Sequence, residues 1–454
     1  MKVLNTDINT ADNNTLFEFT QGLDVDQFLY RQEIRVQKAW AVALEQAGVL
    51  TATERVQLCQ TLDKAQSLIE SQQFDWKMTD EDIHMNLERF MTQELGELGK
   101  KIHTGRSRND LIASTLRLYV HDEITTLIPQ LQKTISAIKI KSTEWIDVIT
   151  PGMTHMQFGQ PLRFGHLFSA HGYALLRDIQ RFKNNQAECL EALPLGAAAF
   201  AGTHLKMDLN ALAKSLQFTN SLQHSYDAVS DRDYMLSTLQ SYSLLALHLS
   251  RFCEDLLFWS SSGIKVLKLP YDWSTGSSIM PNKRNPDVPE LVRAKMARVM
   301  TAAQEGLVLM RSVTPSYGSD IHELKRTFIN ATQELKKCFK VLPSFIKGLA
   351  VDDVSAKTLL NKGHILATDV ANHLATSTTF REAYVTVASA IRQADEKGLQ
   401  IHEHYKNGQS FDFESSIEAR SLSGGTSRKT ALAAIEKLTD KLTTKITENP
   451  TDQL

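Results

Sequence analysis

The chain has 454 residues, 42% of them hydrophobic and 22% charged, with a formal net charge of -2. This is ordinary globular composition with ample length for a large core and more than one domain. The near-neutral balance gives no general pull towards nucleic acid or an anionic membrane.

Only 11 prolines and 21 glycines punctuate the chain, which favours long helices over many short strands. The first residues carry neither an apolar core of signal-peptide length nor an arginine-rich amphipathic pattern. Cysteines at 59, 189, 253 and 338 form no CxxC pair, so a reducing, cytoplasmic address is expected. Residues 1–105 hold shorter helical patterns broken by Gly48, "TDEDIH" and "ELGELGKK". From Leu116 the apolar positions Val120, Ile124, Leu127, Leu131, Ile135 and Ile138 follow at spacings of four and three, one stripe of a long helix that Pro129 should kink. Further stripes run through Leu175, Ile179, Phe182 and Cys189, through the apolar run from about Leu236 to Trp259, and through Val292, Met296, Val299, Ala303, Leu307 and Met310. His248, Arg251, Glu254 and Asp255 interrupt the apolar run, which reads as a buried helix and not a membrane span. Four long helices between about 106 and 350 predict a bundle whose stripes also serve subunit contacts. After about 352 come shorter helices and the polar "SLSGGTSRKTAL". The expected fold is all-α in three helical parts: 1–105, 106–352 and 353–454.

Four segments carry chemistry. In "STGSSIMPNKRNPD" a loop with flexible Gly276, stiff Pro281 and Pro286, and cationic Lys283 and Arg284 empties into a helix start. Asp287, Pro289 and Glu290 supply the cap, first-turn proline and capping-box signals there. The positive end of that helix and the two cations favour negative charge, a setting that pushes Ser277 or Ser278 towards alkoxide. In "HTGRSRND", Arg106, Ser107, Arg108 and Asn109 precede another helix, with Asn109 or Asp110 as cap, and an arginine fork suits a carboxylate or phosphate. In "TPGMTHMQFGQP", Thr154 and His155 sit in a non-helical connection, where a histidine serves either as acid/base or as a hydrogen-bonded structural group. In "DAVSDRD", Arg232 among three acids reads as an ion-pair hub. None has metal-ligand spacing, a Walker loop or a dinucleotide fingerprint. The set suits chemistry on a small polycarboxylate with no cofactor and no metal.

"GSSIMPNKRNPD" resembles the signature of the fumarase/aspartase superfamily, and "HTGRSRND", "DAVSDRD" and "FREA" resemble its argininosuccinate lyase branch, with motifs in order from about Phe17 to Lys437. The resemblance implies a homotetramer with a twenty-helix core and active sites shared between three subunits. It implies a carbon–nitrogen lyase that releases fumarate from an N-substituted aspartate, with argininosuccinate as leading substrate. By motif position Ser277 is the base, Lys283 and Asn285 hold the carboxylate, and Ser107, Asn109 and Thr154 complete the succinate clamp. His155 with Glu290 manages the leaving nitrogen's proton, while Arg108, Tyr317, His322 and Lys325 face the amine half, with Thr20 at the place of a family serine.

The amine half departs from the family pattern. In "YGSDIHELK", Gly318, His322 and Leu324 stand where the family has Asn, Gln and Asp. Asn282 replaces Gln and Tyr384 replaces His. Two alternatives therefore accompany the leading one: a sibling lyase taking a different amino acid or diamine, and a non-catalytic, crystallin-like structural tetramer.

Overall fold

The computed structural model describes residue 15 and residues 18–405 and 410–443. Five long helices dominate them: α4 (Arg108–Glu144), α5 (Phe164–Cys189), α6 (Asp233–Ser260), α7 (Asp287–Met310) and α8 (Asp320–Gly348). Ahead of these come α1 (Tyr30–Gln46), α2 (Ala52–Glu70) and α3 (Ile83–Leu95). Strands among the described residues amount to three two-stranded antiparallel pieces. The fold is all-α, as the sequence leads one to expect. The periodic stripe on α4 is buried throughout, from Leu116 at 1% exposure to Ile138 at 0%, and the helix runs unbroken through Pro129. The stripe on α7 is buried only as far as Ala303, and Leu307 lies exposed at 49%.

Helix α8 is the long helix that the apolar patterning did not single out. Its inward face carries Ile321, Leu324, Phe328, Leu335, Phe339 and Leu342, all buried. No helix of the described residues is long and apolar enough to cross a membrane.

By backbone contacts the chain forms two compact units, each built from three pieces of sequence. The first comprises residues 1–127, 181–243 and 299–333. Trp40, Leu44, Leu58, Leu62, Ile83, Leu87, Met91, Leu111, Leu118 and Leu193 pack into its core. Helix starts are fixed locally there. Thr51 and Glu54 form a reciprocal capping box on α2, and the Asp82 carboxylate accepts from Met85 N at 2.8 Å at the start of α3.

The second unit comprises residues 128–180, 244–298 and 334–454. Trp145, Phe164, Phe168, Phe252 and Trp259 form a ring cluster with centroids 5.0 to 6.5 Å apart. The start of α5 lies against the end of α4 so closely that a Cβ at Gly165 would meet Ser142 O at 2.1 Å. Only glycine fits there. Arg163, 1% exposed, ties this region to the C-terminal helices through Glu414 and through Glu418 at 2.7 Å.

Candidate active site

In the second unit, the serine-bearing loop is pinned at its root. Thr275–Gly276 pairs antiparallel with Arg284–Asn285, leaving residues 277–283 as the tip. Asp287 begins α7, but its carboxylate turns back to Thr275, accepting from the backbone N at 3.0 Å and from Oγ1 at 2.6 Å. These bonds hold the Asp287 carboxyl below its usual pKa. The cap predicted for the helix thus acts as a clamp on the loop. At the tip, Ser277 Oγ accepts from Ile279 N at 3.3 Å and Met280 N at 3.1 Å. Two N–H donors on one hydroxyl oxygen favour its ionised form. Asn285 Nδ2 reaches Thr275 Oγ1 at 3.4 Å. Lys283 and Glu290 are exposed, and their side chains have no partner among the described residues.

The "TPGMTHMQFGQP" segment, expected to be an ordered non-helical connection, is a β-hairpin of Ile149–Thr154 against Gln157–Arg163. Thr154 pairs with Gln157, so His155 and Met156 form the two-residue turn, with φ of 53° and 60°. Turns of this shape favour Asn-Gly, and each non-glycine residue in the left-handed region costs about 1 kcal/mol. Strain of this kind clusters at functional positions. The His155 side chain is exposed and without a partner among the described residues.

In the first unit, the helix begins at Arg108, so its cap lies two residues ahead of Asn109 and three ahead of Asp110, the caps expected from sequence. Ser107 is the cap: its Oγ accepts from Asn109 N at 3.2 Å, while Asp110 Oδ1 accepts from Ser107 N at 3.1 Å. Ser107, Arg108 and Asn109 are thereby set at the positive end of a 37-residue helix. Asp110 Oδ2 reaches across to Gly196 N at 3.0 Å and Ala198 N at 2.8 Å, and burial pushes its pKa up to about 6 against these donors. Asn109 Nδ2 donates to Ala199 O at 3.1 Å.

The amine-end residues gather in the same unit. Lys325 Nζ, 1% exposed, pairs with buried Asp26 at 2.5 Å. Arg108 Nη1 pairs with Asp82 at 2.8 Å and Glu81 at 3.4 Å. Tyr317 Oη and His322 Nε2 are 2.5 Å apart. Burial, with Lys325 beside it, pushes His322 down to about 3, and burial pushes the Tyr317 hydroxyl up. At neutral pH both rings are uncharged. Thr20 is exposed.

Sequence reasoning passed over the acids that organise this cluster. Asp26 and Asp82 are buried, and "TDEDIH" reads only as a helix break until the structure sets its third acid, Asp82, on Arg108. His84 and Glu33, 2.8 Å apart and both buried, form a further pair whose charges hold each other ionised. In "DAVSDRD" the ion pair runs from Asp231 to Arg117, while Arg232 Nη1 donates to the carbonyls of Val229 and Asp231.

The Lyase family profile matches residues 8–301. The argininosuccinate lyase of Lawsonia intracellularis (strain PHE/MN1-00) is 35% identical over 441 residues, 94% of this chain and 95% of that protein. The argininosuccinate lyase of Nitrosococcus oceani is 38% identical over 442 residues, 94% of each chain. Among solved structures, an EDDS lyase variant with bound fumarate matches with a TM-score of 0.78 at 20% identity, covering 92% of this chain and 87% of that one. A class II fumarase from Schistosoma mansoni matches at 0.73 and 18%, covering 90% and 91%. The structural likenesses establish the fold, and the sequence relatives, matching from end to end, establish more. The chain belongs to the argininosuccinate lyase branch of the fumarase/aspartase superfamily.

Proposed function

We propose that this protein cleaves argininosuccinate to arginine and fumarate without a redox or metal step. Ser277, as alkoxide, removes a proton from the succinyl methylene, the carbon that bears one carboxylate and adjoins the carbon carrying the nitrogen. The electron pair is held on that carboxylate as an enediolate dianion facing Lys283, Asn285 and a helix N-terminus. It then returns to form the carbon–carbon double bond as the carbon–nitrogen bond breaks, and the departing nitrogen takes up one proton. His155, oriented with Glu290, handles that proton. Preorganised cations and N–H dipoles are the main means of stabilising such an intermediate.

The observation that carries this reading is the pair of backbone N–H groups donated to Ser277 Oγ. A serine is a poor base unless its oxygen is already solvated as an anion. Ser107, Asn109 and Thr154 bind the second succinyl carboxylate. At the amine end, Tyr317 donates to His322 Nε2, and the imidazole then offers Nδ1–H to the amino-acid carboxylate. Arg108 and Lys325 act there from within their ion pairs, and Thr20 borders the same end.

A homotetramer, with each site drawn from three chains, fits residues whose side chains stand exposed and unpartnered in a single chain. The three helical parts 1–105, 106–352 and 353–454 describe this division of labour by helix length. We place the protein in the cytoplasm, in keeping with four unpaired cysteines. The test is to supply argininosuccinate and measure fumarate and arginine together. Equal release of both supports the reading, and neither product refutes it. Gly318, His322 and Leu324 favour a second reading, a sibling lyase that cleaves another N-succinyl amine. Fumarate offered with a panel of amines identifies that enzyme.

A further inference from the structure

Behind the root of the serine-bearing loop lies a cavity of about 470 Å³, lined by Ser260, Lys265, Lys268, Tyr271, Arg284 and Asp352 among others. It belongs wholly to the second unit. Three cations face it against one carboxylate. Lys268 pairs with Asp352 at 2.7 Å, whereas the Lys265 side chain has no partner among the described residues. Arg284 lies over the Tyr271 ring at 3.8 Å and also contacts its hydroxyl. Arg284 is at the same time the residue paired with Gly276, the immediate neighbour of Ser277. Its side chain passes 3.9 Å from where a Cβ on Gly276 would stand.

We propose that this cavity binds a small oxyanion of the phosphate class between Lys265, Lys268 and Arg284, and that its occupant governs the Ser277 loop through Arg284. An excess of positive charge in a concave, serine-lined space is where such an anion is stabilised. The Tyr271 ring is a weak, displaceable partner for a guanidinium, and an oxyanion outcompetes it. Once drawn onto the anion, Arg284 fixes the short strand pair that roots the loop and holds the tip back from the substrate. The control of activity rests on the proposed role of Ser277, but the binding does not.

The test uses the full-length protein and inorganic phosphate, with chloride holding ionic strength constant. Calorimetry should show saturable phosphate binding, weakened roughly tenfold or more in Lys265→Glu. Tyr271→Leu, which frees Arg284, should bind more tightly than the wild type. In initial-rate assays phosphate should lower kcat with little change in KM, and Lys265→Glu should keep its activity in chloride while losing that response. Three outcomes overturn the proposal: no saturable binding, equal affinity in Lys265→Glu, or purely competitive inhibition, which would put the anion in the substrate's place. A protein that binds phosphate as described yet never releases fumarate would refute the proposed function and leave the pocket standing.

Discussion

Replacing Lys325 by methionine removes a charge and keeps the side chain's length. Its partner Asp26 is 0% exposed, and the second carboxylate oxygen of Asp26 already lacks a hydrogen bond. At 2.5 Å and an effective dielectric of about 20, the gross attraction is roughly 7 kcal/mol. Desolvation of both groups offsets part of it, and breaking a buried pair costs about 3–5 kcal/mol. A neighbouring pair provides the control. Arg326, the next residue, pairs with Asp24, and these side chains are 37% and 50% exposed. Lost to solvent, that pair is worth less than about 1 kcal/mol. Thermal unfolding at fixed protein concentration reads the difference. With an unfolding entropy of about 2.1 cal/mol/K per residue over this length, Lys325→Met should lower Tm by about 3–5 °C and Arg326→Met by about 1 °C or less. Adding Asp26→Asn to Lys325→Met should recover most of the loss. Equal shifts for the two single variants would refute the argument from burial.

Ser277→Ala should reduce fumarate release by about a thousandfold at an unchanged Tm, and an active variant would remove serine from the base role. His155→Asn suits the left-handed turn better, so unfolding experiments should show a gain of up to about 1 kcal/mol while steady-state assays show lost activity. If activity is untouched, the strain has no catalytic purpose. His322 titrates near 3 when folded and near 6.5 when unfolded, so the unfolded chain binds the extra proton first and stability falls as pH drops from about 6.5 towards 3. At pH 5 the loss attributable to this residue is roughly 2 kcal/mol, and His322→Gln should flatten that part of the stability–pH curve.

The helices were legible where burial repeats along the chain. Leu116 to Ile138 recur at the spacing of one helical face, and every one of them is buried. Helix α8 escaped notice because its start, "YGSDIHELK", draws attention as a binding segment while its apolar face begins inside that segment, at Ile321 and Leu324. Pro151, Gly152 and Pro161 mark the segment around His155 as non-helical. Its pairing leaves no signal in the sequence, because strands with two prolines and two glycines show no clean alternation. The candidate catalytic residues stand in short motifs and were found through them. Their supports were hidden by distance: 299 residues separate Lys325 from Asp26, and 86 separate Gly196 from Asp110. Such pairs leave no local pattern, since each partner is chosen by the fold and not by its neighbours.

Each compact unit draws on three separate pieces of the chain, and this has a consequence for biosynthesis. The first unit is incomplete until residue 333 has been made, although its opening piece ends at residue 127. At about 5–20 residues per second, roughly 10–40 s pass on the ribosome between those two points. For the first part of that interval, until residue 218 has been made, the apolar faces of α1, α2 and α3 lack part of their cover, including Leu193, Leu212 and Phe218. Exposed apolar surface of this kind is prone to aggregate, so slowed translation between residues 127 and 333 lengthens the exposure.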